Sequence, residues 1–505
     1  MNTFMTGLAK VTNFTHTENG ALTHKTTESG LLDLFAMGGA YRKRPDVDVI
    51  NLFKKAFEEN EVYALKCLFY LRDARGGQGE RRFFRVAMKW LADCKTEAAR
   101  RNLKHIPLYG RWDDLYLFVG TPLEKETFAF MKEQLALDVQ CKTPSLLAKW
   151  LKSENTSSVE SRILANKTRA AFNMTHKQYR KTLSILRERI NVLERLMSAN
   201  KWDEIEFDKI PSRAGMIYKN AFARHDVERA KSEKNVQTYA DFARDTTTKV
   251  NAKVLYPYEC VAEALKCYRY NLNDTNRLMV NKYWENLEDY FKDATFNGIV
   301  VADTSGSMTG GDASAPINVA ISLALYCAER AHGPFAGHYI SFASRPQLIK
   351  TDGADFVDKV RRIYDTNLID NTNIEATFDL LLNTAIQNKC SQEDLPQNVL
   401  IISDMEFDQA RGCYYSYSNR LRADNDTSTL MENIEKKWNA AEYKMPNLVF
   451  WNVQARQDNI PMRVKNGVSF VSGMSPSIFK QLLSGKTAFD LMYEVLDADR
   501  YAVIQ

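Results

Sequence analysis

The sequence has no long hydrophobic run. None approaches the ~18 consecutive apolar residues that a membrane span needs, so no membrane contact is expected. The first thirty residues are polar and lack the apolar core of a secretory signal. The eight cysteines, Cys67, Cys94, Cys141, Cys260, Cys267, Cys327, Cys390 and Cys413, form no C-x-x-C pair. They read as reduced, mostly buried residues of a cytoplasmic protein. Signatures of catalysis are missing as well. None of the seven histidines falls in an H-E-x-x-H pattern, and no Gly-x-Ser-x-Gly elbow occurs. Gly485-Lys486-Thr487 ends like a phosphate-binding loop, but Lys480 stands where its first glycine belongs. Glu406 and Asp408 beside Asp404 would suit a two-metal nuclease only if carboxylates converged on both ions, and Ser305 and Ser307 offer hydroxyls alone. The expectation is a protein without catalytic activity.

At 505 residues, 45% hydrophobic and 26% charged, the chain is too long for one ordinary core and reads as two globular domains. Its net charge of +5 hides an asymmetry. Residues 1–297 hold 49 Lys+Arg against 38 Asp+Glu, a net +11, while residues 298–505 hold 19 against 25, a net −6. Phosphate neutralisation supplies most non-specific nucleic-acid affinity, so the first part is the expected RNA surface. That part reads as helical throughout. Thr175 and Gln178 form a capping box, after which Leu183, Leu186, Ile190, Leu193 and Met197 keep helical spacing up to Asn200. Further helices are predicted at about 48–71, 79–93, 124–138, 160–172, 213–231 and 257–270. Stacked helix pairs of this kind make a solenoid. Residues 1–30 read as a flexible arm.

The second part alternates strands and helices. The apolar run Gly298–Ala302 leads into Asp303-Thr304-Ser305-Gly306-Ser307, and a helix with Ser314 as its cap, Pro316 in its first turn and an end at Gly333 follows. His338–Phe342, Gln347–Ile349, Val399–Asp404, Asn447–Val453 and Val468–Val471 read as strands, and 356–364 and 374–385 as helices. Strands that are apolar throughout and alternate with helices predict a parallel sheet covered on both faces, with ligands at the strands' carboxyl ends. Asp303, Thr372 and Asp404 fall at such ends.

Asp303, Ser305 and Ser307 match the Asp-x-Ser-x-Ser pattern of a metal-ion-dependent adhesion site, although the same residues also suit an ordinary turn. A hard cation such as Mg²⁺ takes oxygen ligands in an octahedron, and this loop gives it one formal charge. A site so poor in charge favours an acidic sixth ligand from elsewhere. The expected ligands are Asp303, Ser305, Ser307, Asp404 and a threonine, with Thr372 chosen among several nearby hydroxyls.

With these motifs, residues 296–505 resemble a von Willebrand factor A-type domain, and residues 31–295 resemble the helical domain of Ro/TROVE ribonucleoproteins. Tyr256-Pro257-Tyr258 and the helix after it are similar to the segment that precedes the A-type domain in Ro proteins. Arg72-Asp73-Ala74-Arg75-Gly76-Gly77-Gln78-Gly79-Glu80-Arg81 and Tyr109-Gly110-Arg111-Trp112-Asp113-Asp114-Leu115 resemble signatures of the family labelled domain of unknown function 2828. The resemblance implies an all-helical HEAT-like array, closed into a ring in Ro proteins, followed by a doubly wound α/β domain. It also implies binding of non-coding or single-stranded RNA, Mg²⁺ at the adhesion-type site, and a protein partner that lends the metal an acidic residue.

Candidate RNA contacts form two basic clusters. Arg72, Arg75, Arg81 and Arg82 surround Gly76, Gly77 and Gly79 and would present guanidinium groups to phosphates, or else pair with Asp73, Glu80 or Asp93 at a helix-to-helix turn. Arg162, Lys167, Arg169, Lys177, Arg180 and Lys181 have no dense acidic neighbours in sequence, and Arg213 is a further candidate. A second class of function is a protein-only adaptor for an ATP-driven chaperone or assembly complex.

Overall fold

The computed structural model of the chain describes residues 12–232, 236–270, 274–292, 296–342, 345–366, 373–408, 429–482 and 487–505. Strands β1 (Phe14–His16) and β2 (Leu22–His24) form an antiparallel hairpin. The other six described strands, β3 (Gly298–Asp303), β4 (His338–Phe342), β5 (Gln347–Lys350), β6 (Asn398–Ser403), β7 (Asn447–Asn452) and β8 (Val468–Ser472), make one sheet in the order β5-β4-β3-β6-β7-β8. Only the β4–β5 pair is antiparallel. Every residue of β3 is buried. Successive side chains of a strand point to opposite faces, so such burial requires cover on both faces. The chain leaves β3 for β4 and β5 on one side and returns to β6 on the other. The strand order therefore reverses between β3 and β6, and the crevice beyond their carboxyl ends is where such sheets bind ligands.

The helix Pro316–Arg330 packs against β3, β4 and β6. Pro316 at its first position has the helical φ already set and lacks only an N–H that would be unpaired there. Residues 316–328 are all buried, and Ile321, Leu323 and Leu325 each contribute about 1.5–3 kcal/mol of apolar transfer. The polar members of this helix are satisfied: the Ser322 hydroxyl donates to the Val319 carbonyl at 2.9 Å, and Asn318 Nδ2 to the Ala313 carbonyl at 3.1 Å. Ser314 does not cap the helix. Ala315 holds that position, while the Ser314 hydroxyl donates to Asp312. The helix also ends at Arg330, short of Gly333.

Two compact units divide the chain differently from the expected boundary at 295. The first comprises Met1–Cys67, Leu255–Asn273 and Tyr283–Arg500, so the helices Gly30–Met37, Asp46–Glu59 and Pro257–Tyr270 belong with the sheet. Gly30–Met37 packs on β7 and β8, and Pro257–Tyr270 packs on the helices Pro316–Arg330 and Phe356–Thr366. Residues 14–24 are not the expected free arm. Backbone hydrogen bonds run both ways between His24 and Ile460, at 3.1 and 2.7 Å, and the Thr23 hydroxyl donates to the Ile460 carbonyl at 2.8 Å.

The second unit comprises Leu68–Val254, Asp274–Lys282 and Tyr501–Gln505 and is helical. The predicted helices are found as Arg81–Cys94, Glu124–Gln140, Val159–Ala171, His176–Arg189 and Ser212–Arg224. The Thr175/Gln178 capping box is present. The helix it starts ends at Arg189, and a separate helix, Leu193–Ser198, follows. Between them Asn191 adopts φ 48°, a left-handed conformation that asparagine tolerates better than most side chains. Tyr501 returns the chain terminus to this unit, with its ring 5.7 Å from that of Tyr109 and its hydroxyl donating to Asp73 Oδ2 at 3.1 Å.

Candidate functional site

The reversal point of the sheet gathers four of the five predicted metal ligands. Asp303 ends β3, Ser305 and Ser307 follow on a turn that includes the short 3₁₀ helix Gly306–Met308, and Asp404 follows β6. The Ser305 N–H donates to Asp303 Oδ1 at 2.9 Å, the Ser403 hydroxyl donates to Asp303 Oδ2 at 2.6 Å, and the Ser305 and Ser307 hydroxyls are 3.0 Å apart. The Glu406 N–H donates to Asp404 Oδ1 at 3.2 Å. Thr372 lies outside the described residues.

Burial makes this site electrostatically tense. Asp303, Ser305 and Asp404 are each buried to 1% exposure or less. Burial, and then the charge of Asp404, push the Asp303 carboxyl up to about 7, against the hydrogen bonds from Ser305 and Ser403. Burial likewise raises Asp404, against the Glu406 amide, the Ser307 hydroxyl and Arg456. Glu406 is pushed up to about 7, again chiefly by burial. Asp404 Oδ2 is buried without a hydrogen bond, and Arg456 Nε stands 3.4 Å from it. A buried carboxylate oxygen left without a hydrogen bond, beside a second carboxylate and two hydroxyls, suits a hard cation. Among the described residues no three His, Cys, Asp or Glu side chains cluster as metal ligands, so hydroxyls would have to complete such a site.

Three residues at this site were not foreseen as parts of it. Ser403 orients Asp303. Arg456 donates to the Ser307 carbonyl as well as facing Asp404, and its Nη1 is 3.1 Å from Glu18 Oε2. Arg456 lies just beyond the end of β7, the position from which a parallel strand delivers side chains to the crevice, and that signal was legible. Glu18 carries no local signal.

The basic candidates divide sharply. Arg72 is 3% exposed, and its Nε and Nη2 donate to Asp114 Oδ2 at 2.9 and 2.5 Å. It is therefore a structural ion-pair partner and cannot meet phosphate. Arg81 Nε and Arg85 Nε donate to Asp114 Oδ1 at 3.2 and 2.8 Å. Arg72 and Arg81 of one signature segment thus hold Asp114 of the other, Tyr109–Leu115. Gly110 is required here, because a Cβ on it would sit 2.5 Å from Asp114 Oδ2 and 2.9 Å from Arg72 Nε. Arg82 is half-buried, while Arg75 is exposed and donates to the Leu108 carbonyl at 2.8 Å.

In the second cluster, acids distant in sequence do reach the basic groups: Lys167 lies 3.4 Å from Glu124, and Arg169 lies 3.0 Å from Glu154. Arg162 donates to the Thr156 carbonyl at 2.9 Å. Lys177 and Lys181 are exposed and make no ion pair among the described residues, and Arg180 is exposed and donates to the carbonyl of His176 in its own helix. Arg213 is exposed at the start of its helix. No helix among the described residues is long and apolar enough to cross a membrane.

Comparison with known proteins gives two family matches. The family described as domain of unknown function 2828 matches residues 17–145 and 136–295, and the domain of unknown function 7788 matches residues 297–501. An uncharacterized protein of Acanthamoeba polyphaga mimivirus is 30% identical over 514 residues, covering 94% of this chain and 85% of the relative. Among solved structures, the crystal structure of the Deinococcus radiodurans RO (RSR) protein is similar with a TM-score of 0.42 at 13% identity, over 90% of this chain and 93% of that one.

Proposed function

The chain belongs to the family described as domain of unknown function 2828, and we propose that it is a non-catalytic RNA-binding scaffold with a cation-dependent docking point for an acidic protein partner. The observation that carries this reading is the exposed basic face of the His176–Arg189 helix. Lys177 and Lys181 stand four residues apart on one side of it, without ion pairs among the described residues, and Arg180 lies between them in sequence. Free ammonium groups on a surface with net positive charge attract phosphates and release their counterions. Arg162 and Arg213 extend the candidate surface, and Arg75 at the first cluster offers a guanidinium at the surface. The helical unit is read as a HEAT-like array of the Ro/TROVE kind.

The sheet unit is read as a von Willebrand factor A-type domain. Its cation, Mg²⁺ in this proposal, would be held by Asp303, Ser305, Ser307 and Asp404, with Thr372 as the proposed fifth ligand. When bound, the ion supplies a positive centre for a carboxylate. Ser403 keeps Asp303 oriented, and Arg456 keeps the Ser307 loop close to Asp404.

Purification of the full-length protein at low salt tests the RNA reading. Nuclease-sensitive absorbance at 260 nm that is lost as salt rises supports it, and a double substitution Lys177→Glu/Lys181→Glu reduces it. A protein free of nucleic acid that also ignores single-stranded probes would favour the adaptor function instead.

A further inference from the structure

Glu18 lies in the turn of the β1–β2 hairpin, almost 400 residues before the β6 loop it touches. Hydrogen bonds from Thr17, Glu18 and Asn19 fix the hairpin tip to that loop. The Thr17 hydroxyl donates to the Phe407 carbonyl at 2.6 Å, the Glu18 N–H to Glu406 Oε2 at 2.7 Å, and Asn19 Nδ2 to the Glu406 carbonyl at 2.6 Å. Asn459 Nδ2 holds the other oxygen of Glu406 at 3.0 Å. The backbone of Glu18 is thus placed by a rigid support, while its side chain, 40% exposed, is left to reach toward the site.

One guanidinium already joins that side chain to the candidate cation site. Arg456 Nη1 is 3.1 Å from Glu18 Oε2, and Arg456 Nε is 3.4 Å from Asp404 Oδ2. The Asp404 contact is loose, and Oδ2 has no hydrogen bond although it is fully buried. A carboxylate from outside the three ligand loops therefore stands one guanidinium away from an unsatisfied buried oxygen. Two carboxylates only just balance a divalent ion, and the Arg456 guanidinium beside Asp404 offsets part of that charge, which leaves room for a further acid.

Building on the cation reading above, we propose that Glu18 is a built-in acidic ligand of this site, a tethered competitor that an outside partner's carboxylate must displace. Arg456 holds Glu18 at the rim while the ion is absent. Once the ion is bound, the same carboxylate turns from the guanidinium to the metal centre. Because the hairpin is part of the chain, its effective concentration is high, and a weak outside acid does not compete with it.

The experiment is Mn²⁺ binding to the full-length protein by electron paramagnetic resonance, with amide hydrogen exchange of residues 17–20 as a second readout. Glu18→Ala is expected to weaken Mn²⁺ binding at least about tenfold, Glu18→Asp to fall between it and the wild type, and added sodium acetate to restore binding to Glu18→Ala alone. Mn²⁺ should also slow exchange at residues 17–20 in the wild type. If Glu18→Ala binds Mn²⁺ like the wild type while Asp303→Ala does not bind, the tethered ligand is wrong and the cation site stands. If the wild type binds no better than Asp303→Ala, the cation site itself is wrong, and this inference falls with it. Weak binding by Glu18→Ala that acetate leaves unchanged, with fast exchange in the hairpin even without metal, would mean that Glu18 serves only to fold the hairpin, and this too overturns the proposal.

Discussion

Asp114→Asn should be among the most damaging conservative changes in the helical unit. The carboxylate is fully buried and accepts from Arg72 Nε and Nη2 at 2.9 and 2.5 Å, Arg85 Nε at 2.8 Å, Arg81 Nε at 3.2 Å and the Arg111 N–H at 3.0 Å. The amide keeps the shape but removes the charge, and one of its two ends can no longer accept. Arg72, 3% exposed, is then left as an uncompensated buried cation, which costs about 3–5 kcal/mol. Arg81 and Arg85 are 38% and 35% exposed on their side chains, so water screens their pairs and each adds no more than about 1 kcal/mol. For a unit of roughly 200 residues, that loss lowers the melting temperature by roughly 6–20 °C. Arg81→Ala and Arg85→Ala serve as internal comparisons, with shifts of roughly 2–4 °C each. The acid limb should change too. Burial alone would raise Asp114, but Arg72 and Arg85 hold it below the ordinary carboxylate range. A depressed folded pKa gives stability that is complete above about pH 4 and disappears as pH falls through the folded value. Wild type should therefore lose stability below that pH more steeply than Asp114→Asn. Differential scanning fluorimetry across pH 3–7 measures both effects, and an Asp114→Asn protein that melts within 2 °C of Arg81→Ala would refute the assignment of Arg72 as a buried partner.

The other expectations are narrower. Lys177→Glu/Lys181→Glu should lower affinity for a single-stranded RNA probe by at least about tenfold at moderate salt and flatten the log–log salt slope by about 1.4, read by fluorescence anisotropy across a salt series. Asp303→Asn removes one of two mutually repelling buried carboxylates, so its melting temperature without metal should equal or exceed that of the wild type, while any Mg²⁺-dependent rise disappears. Gly77→Ala would put a Cβ 2.1 Å from the Tyr70 carbonyl oxygen and should cost at least about 2 kcal/mol in denaturant titration. Gly120→Ala, with nothing within 4 Å, should cost only about 1–2 kcal/mol from its φ of +86°.

The parallel sheet was legible because its information is local. Gly298–Asp303, Asn398–Ser403 and Asn447–Asn452 are apolar enough to mark buried strands, and the three helices predicted between the first two carry their own period, whereas Leu430–Ala440 before β7 was not foreseen. The Thr175/Gln178 capping box was legible for the same reason, since its two residues are three apart. What misled was equally local. The apolar spacing from Leu183 to Met197 continues across the break at Asn191, because periodicity does not register one residue with a left-handed backbone. A similar break at Asn60, which is extended and caps the next helix through a 3.1 Å bond from the Tyr63 N–H, splits the helix expected at 48–71.

The site divides along the same line, and the division says where sequence reasoning should be distrusted. Asp303, Ser305 and Ser307 form a contiguous motif, and Asp404 ends an obvious strand, so their meeting followed from topology alone. Arg72 kept two readings in the sequence because an arginine beside a glycine-rich turn looks like a phosphate ligand until its partner is known, and Asp114 lies 42 residues away. The same blindness hid Lys167 with Glu124 and Arg169 with Glu154. Charge is additive along a sequence, but availability is not: a basic residue is free for a ligand only after every acid of the fold has had its chance at it. By that measure Lys177 and Lys181 gain weight from the structure, Arg72 loses it, and Glu18 acquires it. The two three-residue strands around Glu18 carry almost no pattern, so its position beside Arg456, 438 residues further on, could be found only in three dimensions.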